Sequence, residues 1–282
     1  MAIKAVQQFH LRTRLNTEKE AMDVMAKMKE AGYEGLELCW FMMHPTSVFY
    51  RLGLKLSGCA IGTCGRLDWG RLTREAGLQV PGILQDFKGI EDNLDKTAEE
   101  AISLGAKYIT LSSACPYDFS SSGAVKALAD RLNRSGERFR QYGLQLLFHN
   151  HSAEFLHTDE GISAYRTVME NTDPSLVGFE LDAYWAVTAG ADPLQLMDDL
   201  GNRLKLFQVN DKCSHIKGKC SNSNIPHGDT ELGTGNMNLE PMIRKAISLG
   251  VDAVILEADR GWTDGDSVKS MQISGEYLKK IF

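Results

Sequence analysis

Eight short apolar runs alternate with longer stretches of helical periodicity, and this alternation limits the possible folds more than any other feature. The runs have the length of β-strands and cover residues 5–11, 35–40, 54–61, 108–113, 144–150, 177–182, 204–210 and 253–258. Strands that alternate with helices usually pair in parallel, and eight of them typically close into a (β/α)8 barrel. The pattern therefore predicts an α/β protein, with one (β/α)8 TIM barrel over residues 1–282.

The stretches between the runs carry helix signals. Six helices are predicted, over residues 17–31, 90–104, 125–142, 161–171, 193–200 and 239–249. Glycines follow four of them, at the position where a left-handed backbone ends a helix; these are Gly32, Gly105, Gly143 and Gly250. A doubly wound open sheet is the alternative fold, but it usually shows a glycine-rich phosphate loop after an early strand, and none is present.

Composition narrows the function classes. The chain carries a net charge of −6 and no block of Lys and Arg, so we expect neither nucleic acid nor an anionic membrane surface as a partner. No run of eighteen apolar residues and no leader-like N-terminus is visible, and the six cysteines form no disulfide-like framework. We therefore expect a cytoplasmic protein without membrane spans.

Polar residues at the ends of four successive strands mark the candidate site. A closed parallel barrel gathers such residues at its carboxyl-terminal rim, where barrel enzymes place their chemistry. One imidazole, two carboxylates and one amide oxygen suit Mn²⁺, Co²⁺ or Mg²⁺, and Zn²⁺ is also compatible. We therefore predict a divalent metal site at this rim, with a small carbohydrate or polyol as the substrate. The four predicted ligands are His149, Asp182, Gln208 and Glu257.

Neighbouring residues are candidates for proton transfer or hydroxyl binding. Glu257, His151, Glu154 and Glu37 form this catalytic set. We expect one of His149 and His151 to face the interior and the other to lie in the following loop. Glu154 is open to three interpretations: an acid or base, a group that orients a histidine, or a surface charge.

Structural roles compete with these interpretations. Asp182 could cap the helix that follows it, and Gln208 could be a satisfied amide of the core. Gly233 and Gly235 resemble a phosphate loop, although no strand directly precedes them. Two long connections, residues 62–89 and 211–238, are expected on the side of the barrel that carries the pocket.

Several segments together resemble the sugar phosphate isomerase/epimerase family, whose members have a xylose isomerase-like barrel. The matching segments are AGYEGLEL, LGAKYITL, FHNHSAEF, DPSLVGFELDAYWAVTAGADP, ELGTGNMNL and VILEAD, and they extend from about residue 30 to residue 260. The resemblance implies a divalent metal near the barrel axis, held by Glu, Asp, His and Glu. His149 stands at the position of the first Glu, Gln208 at that of the His, and Ala60 at that of a frequent third-strand histidine.

The resemblance also implies a reaction class. We expect a metal-dependent isomerase or epimerase that acts on a sugar or keto-sugar through an enediolate. A lyase or dehydratase acting on an inosose or 3-keto-glycoside is the first alternative, because it needs the same enolate chemistry. A sugar-binding barrel without catalysis is the second. Family analogy also makes a homo-oligomer plausible.

Overall fold

The computed structural model describes residues 2–56, 58–114, 116–214, 219 and 226–282. Within these residues, eight parallel strands form a closed barrel. The predicted (β/α)8 fold is confirmed. The barrel strands are β1 (Ile3–Gln7), β2 (Gly35–Cys39), β3 (Gly82–Gln85), β4 (Tyr108–Leu111), β5 (Gln145–His149), β6 (Val177–Asp182), β7 (Leu204–Val209) and β10 (Ala253–Leu256). Around the barrel their order is β1-β10-β7-β6-β5-β4-β3-β2.

Helices cover the outside of the barrel. Their bounds are α1 (Glu18–Glu30), α2 (Trp40–Met43), α3 (Val48–Leu56), α4 (Trp69–Ala76), α5 (Phe87–Glu91), α6 (Leu94–Ser103), α7 (Ser122–Arg140), α8 (Ala164–Asn171), α9 (Ala183–Thr188), α10 (Pro193–Leu200), α11 (Leu239–Ser248) and α12 (Ser267–Leu278). Side chains cap several of them; Thr17 and Ser121, for example, accept a backbone N–H from the first turn of α1 and α7. Gly32 and Gly105 follow helices with φ of 86° and 71°, as their spacing predicts.

The prediction for the third strand is wrong. Residues 54–56 of the predicted strand end helix α3, and the third barrel strand is β3, inside the predicted loop 62–89. The loop also contains helix α4. Both segments are short and apolar, and periodicity alone does not distinguish a short strand from part of a helix. Ala60 consequently lies outside the third strand and says nothing about a histidine there.

The long connection after β7 contains a hairpin. Strands β8 (Asp211–Ser214) and β9 (His227–Thr230) pair antiparallel, and the intervening residues 215–218 and 220–225 lie outside the described residues. The buried carboxylate of Asp211 accepts backbone N–H groups from Gly233, Gly235 and Met237 at 2.9–3.1 Å. This loop, which resembles a phosphate loop in sequence, therefore binds a side chain of the same protein.

Two predictions concern the environment of the chain. No helix within the described residues is long and apolar enough to cross a membrane. Cys39 and Cys64 are buried thiols, while Cys115 and Cys220 lie outside the described residues.

The barrel interior has an apolar end and a polar end. The apolar layer lies toward the amino-terminal ends of the strands and consists of Ala5, Tyr108, Leu147, Leu206, Ala253 and Ile255. Because side chains alternate along a strand, the next inward positions of β1, β5 and β7 are Gln7, His149 and Gln208. The strands thus change from apolar to polar side chains as they approach the carboxyl-terminal rim.

Candidate active site

A cavity of about 220 Å³ opens at the carboxyl-terminal ends of the strands. Its lining combines aromatic rings from segments that follow the strands with polar side chains of the strands themselves. Its lining comprises Gln7, Phe9, Cys39, Phe41, Leu84, Ser112, Ser113, His149, His151, Trp185, Gln208, Glu257 and Asp259. This position and lining suit a small polar ligand that contacts both aromatic faces and hydrogen-bonding groups.

Three of the four predicted metal ligands line this cavity: His149, Gln208 and Glu257. Asp182 lies beside them, because its register partner on β7 is Gln208 and its charge acts on Glu257. The register of β10 places Ile255 opposite Gln208, so Glu257 lies one inward position nearer the rim. The structure therefore brings the four residues to one end of the barrel.

Asp182 also has a structural role. Its Oδ1 accepts the backbone N–H of Trp185 at 2.9 Å, which caps helix α9. The amide of Asn150 binds both the N–H and the carbonyl of Asp182, at 3.0 and 3.1 Å. Asn150 thereby links the end of β5 to the end of β6 and fixes the position of His149 relative to Asp182.

The carboxyl groups of the site repel one another. Burial raises the pKa of Glu257 well above its usual range, and the neighbouring charges of Asp259 and Asp182 raise it further. Burial likewise raises the pKa of Asp182 and of Asp259. The Arg12 guanidinium acts on both Asp259 and Glu257, and Arg260 acts on Asp259. Asp229 adds its negative charge to those of Asp182, Glu257 and Asp259, so carboxylates outnumber guanidinium groups and the site favours bound protons or a further cation.

Both His149 and His151 line the cavity, so the expectation that only one would face inward is wrong. The expectation that the other lies in the following loop is confirmed, because β5 ends at His149 and His151 follows it. Residues 149 and 151 are two positions apart and share one face of an extended chain. Their rings meet edge to face with centroids 4.9 Å apart, and His151 also approaches Trp185 at 5.7 Å. Burial lowers the pKa of His151 to about 4 and that of His149 well below its usual value, so both rings are neutral at pH 7.

Glu154 lies behind the histidines rather than in the cavity lining. Its Oε2 accepts the backbone N–H of His151 at 2.8 Å, and only 1% of the residue is exposed. Burial raises its pKa. Of the three interpretations open from the sequence, this contact favours the second, in which Glu154 orients a histidine.

Glu37 is fully buried beneath the cavity floor. It lies one inward position before Cys39, which lines the cavity, and it accepts hydrogen bonds from Gln7 and Gln208. A second fully buried acid, Glu180, lies beside it and was missed in the sequence. Glu180 precedes Asp182 by two residues, so strand alternation alone could have placed it on the same inward face.

Other lining residues were also missed. Asp259, Phe9, Phe41 and Ser112 line the cavity. Asp259 and Ser112 lie in loops, and Phe9 and Phe41 lie in single helical turns after β1 and β2, which are too short for periodicity to indicate which way a side chain faces. The backbone N–H of Asp259 donates to Asp229 of the hairpin at 2.9 Å. The hairpin thus fixes the loop that carries this acid.

The chemistry of the donor set fits a divalent cation. Nδ1 of His149 and Oε1 of Gln208 are buried without a hydrogen-bond partner, and the adjacent carboxyl group of Glu257 is surrounded by other carboxylates that raise its pKa. Within the part of the chain that the structure describes, no three His, Cys, Asp or Glu side chains already lie close enough to hold an ion. The donor types therefore match a metal, and binding one would require these side chains to move together.

Comparison with known proteins gives the same fold. An inosose dehydratase from Lactiplantibacillus plantarum is 20% identical over 295 residues, covering 94% of this chain and 90% of the relative. A sugar phosphate isomerase/epimerase from Parabacteroides distasonis superposes with a TM-score of 0.74 at 21% identity, covering 98% of this chain and 97% of the other. An L-ribulose 3-epimerase superposes with a TM-score of 0.69 at 15% identity, covering 99% and 94%.

The family assignment rests on most of the sequence. Residues 25–281 match the profile of the xylose isomerase-like TIM barrel. This range includes seven of the eight barrel strands and all the predicted site residues. The chain belongs to the xylose isomerase-like TIM barrel family.

Proposed function

We propose that this protein is a metal-assisted enzyme that removes a carbon-bound proton next to the carbonyl group of a keto-sugar or related keto-polyol. The observation that carries the proposal is the cluster of buried acids and neutral imidazoles around one small cavity at the carboxyl-terminal rim. Isomerases, epimerases and dehydratases acting beside a carbonyl group share this first step.

His149, Asp182, Gln208 and Glu257 would hold the divalent ion. When bound there, the ion would supply Lewis-acid stabilisation of the negative charge that develops on a carbonyl oxygen when the neighbouring carbon loses its proton. The donor set of mixed nitrogen and oxygen suits Mn²⁺, Co²⁺, Mg²⁺ or Zn²⁺.

Two sides of the cavity carry groups that can move a proton. Glu257 and Asp259 follow β10, and His151 follows β5, which is three strands away around the barrel. A base on one side removes the proton and an acid on the other side returns one, which is what an isomerase or epimerase needs. Glu154 acts through His151, whose backbone it holds.

Dehydration of an inosose is a second candidate, favoured by the relative that covers 94% of the chain. In this reaction the base takes the proton, and the electron pair of the carbon–hydrogen bond forms a carbon–carbon double bond. The hydroxyl group on the neighbouring carbon then accepts a proton and leaves as water. The same groups serve as base and acid, so the cavity accommodates either reaction.

Incubation in deuterium oxide tests the proposal. The protein, supplied in turn with Mn²⁺, Co²⁺, Mg²⁺ and Zn²⁺, is mixed with keto-sugars and inososes, and the products are analysed by mass spectrometry and NMR. Carbon-bound deuterium with retained composition indicates an isomerase or epimerase, and loss of water indicates a dehydratase. Saturable sugar binding without exchange in any mixture would contradict the proposal and support a non-catalytic sugar-binding barrel.

A further inference from the structure

The contacts beneath the cavity give Glu37 a role that differs from acid–base catalysis. Its Oε2 accepts a hydrogen bond from Nε2 of Gln208 at 2.9 Å and a second from Nε2 of Gln7 at 3.2 Å. All three residues are at least 96% buried. Gln7 and Gln208 line the cavity, whereas Glu37 does not.

These two hydrogen bonds decide which way each amide faces. A glutamine side chain has a donor end and an acceptor end, and a carboxylate oxygen can only accept. Because both donor ends turn down to Glu37, both carbonyl oxygens are left for the cavity side. Oε1 of Gln208 is buried and has no hydrogen-bond partner, as expected of an acceptor held ready for a ligand.

The neighbouring acid does not disturb this arrangement. Glu180 lies against Glu37 in the barrel interior, and burial together with the Glu180 charge raises the pKa of Glu37 well above its usual range. Both amide donors bind Oε2 of Glu37, whereas Oε1 has no hydrogen-bond partner in the described part of the chain, so the contacts to Oε2 alone set the orientation of the two amides.

We propose that Glu37 is a positioning residue that holds Gln7 and Gln208 with their carbonyl oxygens toward the cavity. The floor of the site then offers two acceptors side by side, a surface for electropositive groups such as a divalent cation or the hydroxyl hydrogens of a polyol. The inference rests on the proposed function only for the identity of that ligand. The orientation of the two amides follows from the hydrogen bonds alone.

The decisive variant is Glu37→Gln, which keeps the size of the side chain. Its amide can donate as well as accept, so it no longer dictates the orientation of Gln208 and Gln7. In protein labelled with ¹⁵N at the glutamine side chains, the two amide signals are assigned through Gln208→Met and Gln7→Met. We expect both signals to shift in Glu37→Gln, and unchanged signals would overturn the proposal whether or not a metal binds.

The affinity for Mn²⁺, measured by electron paramagnetic resonance on the full chain, provides the second readout. Removing a group that orients a metal ligand typically weakens binding about 10–100-fold, and we expect a loss in that range for Glu37→Gln. Thermal unfolding confirms that the variant is folded. If the wild-type protein binds no Mn²⁺, the proposed function fails, and the amide signals still decide the role of Glu37.

A double-mutant cycle separates positioning from a general effect on the fold. If Glu37 acts through Gln208, then Glu37→Gln should add little to the loss of Mn²⁺ affinity that Gln208→Met already causes. Losses that simply add in the double variant would contradict the proposal, because two independent effects are additive.

Discussion

The two ends of the barrel interior differ in chemistry and in what they contribute. At the amino-terminal end, Leu147, Leu206 and Ile255 pack in an apolar layer that is fully buried. At the carboxyl-terminal end, the next inward positions carry Glu180, Gln208 and Glu257, several of which have unpartnered polar atoms or raised pKa values. Burying such groups costs stability, whereas burying the apolar layer supplies it. The comparison indicates that one end maintains the fold and the other is kept for function.

The largest effect is expected from Glu257→Gln. If the polar end is the active site, this change should lower the rate of carbon-bound deuterium exchange about 10³-fold, equivalent to about 4 kcal/mol of transition-state stabilisation. Stability should not fall, because the amide removes the repulsion from Asp182 and Asp259 that raises the pKa of Glu257. A deuterium-exchange rate within tenfold of the wild-type rate would show that Glu257 does not take part in the reaction.

Leu206→Ala tests the opposite end. Deleting a buried leucine in this layer should lower the free energy of unfolding by about 3 kcal/mol, measured by denaturant titration, because it leaves a cavity. The folded fraction should keep its activity. Leu156→Ala is the matched control, since that side chain is 55% exposed and should change stability by less than about 0.5 kcal/mol. Equal losses of unfolding free energy in both variants would contradict the claim that the apolar layer stabilises the fold.

The variant Glu180→Gln measures how much stability the protein loses by burying an acid at the polar end of the barrel. Burial raises the pKa of Glu180 from 4.5 to about 7, so the folded state holds a proton that the unfolded state releases. Below pH 4.5 the Glu180 carboxyl is protonated in both the folded and the unfolded state. The free energy of unfolding therefore falls as the pH rises from 4.5 to 7. At pH 8 the glutamine variant should therefore be more stable by about 3 kcal/mol, the equivalent of this pKa shift.

The difference between Glu180→Gln and wild type should shrink toward pH 4, as followed by denaturant unfolding at each pH. Glu99→Gln, a change of an exposed residue, serves as the control. A stability difference that does not depend on pH would show that the Glu180 carboxyl is not protonated by folding.

The smallest effect is expected from Glu154→Gln. The amide oxygen can still accept the N–H of His151, so activity should remain within about threefold of wild type. Glu154→Ala removes the acceptor and should lower activity about tenfold or more, as expected when a group that supports a site residue is lost. A large loss in Glu154→Gln would instead identify Glu154 as a proton-transfer group.

The fold was predictable because strand length and the residues that begin and end helices are local signals. Helix α10 begins at Pro193 and ends at Leu200, the bounds that the sequence predicts. Strand β3 could not be found with the same certainty, because it has four residues and lies between two short helical segments. The segment at residues 54–61 has a comparable apolar pattern, and only tertiary packing decides between the two.

The site was predictable only where the strands reach it. His149, Gln208 and Glu257 stand at or just after strand ends and line the cavity, so alternation and position were sufficient to find them. The burial of Glu37 below the floor depends on the register between β1 and β2, which the local pattern of residues does not reveal. Asp259 depends on a loop that the hairpin fixes through Asp229, a contact between residues 30 positions apart.

Metal content is the most direct test of the central claim that the polar end is a metal-assisted active site. The wild-type protein and Glu257→Gln are purified without an affinity tag, soaked with divalent metals, desalted, and analysed by elemental mass spectrometry. The account predicts about one divalent ion per chain in the wild type, the stoichiometry of one such site, and a clear loss in the variant. The absence of metal from both proteins after soaking would contradict it.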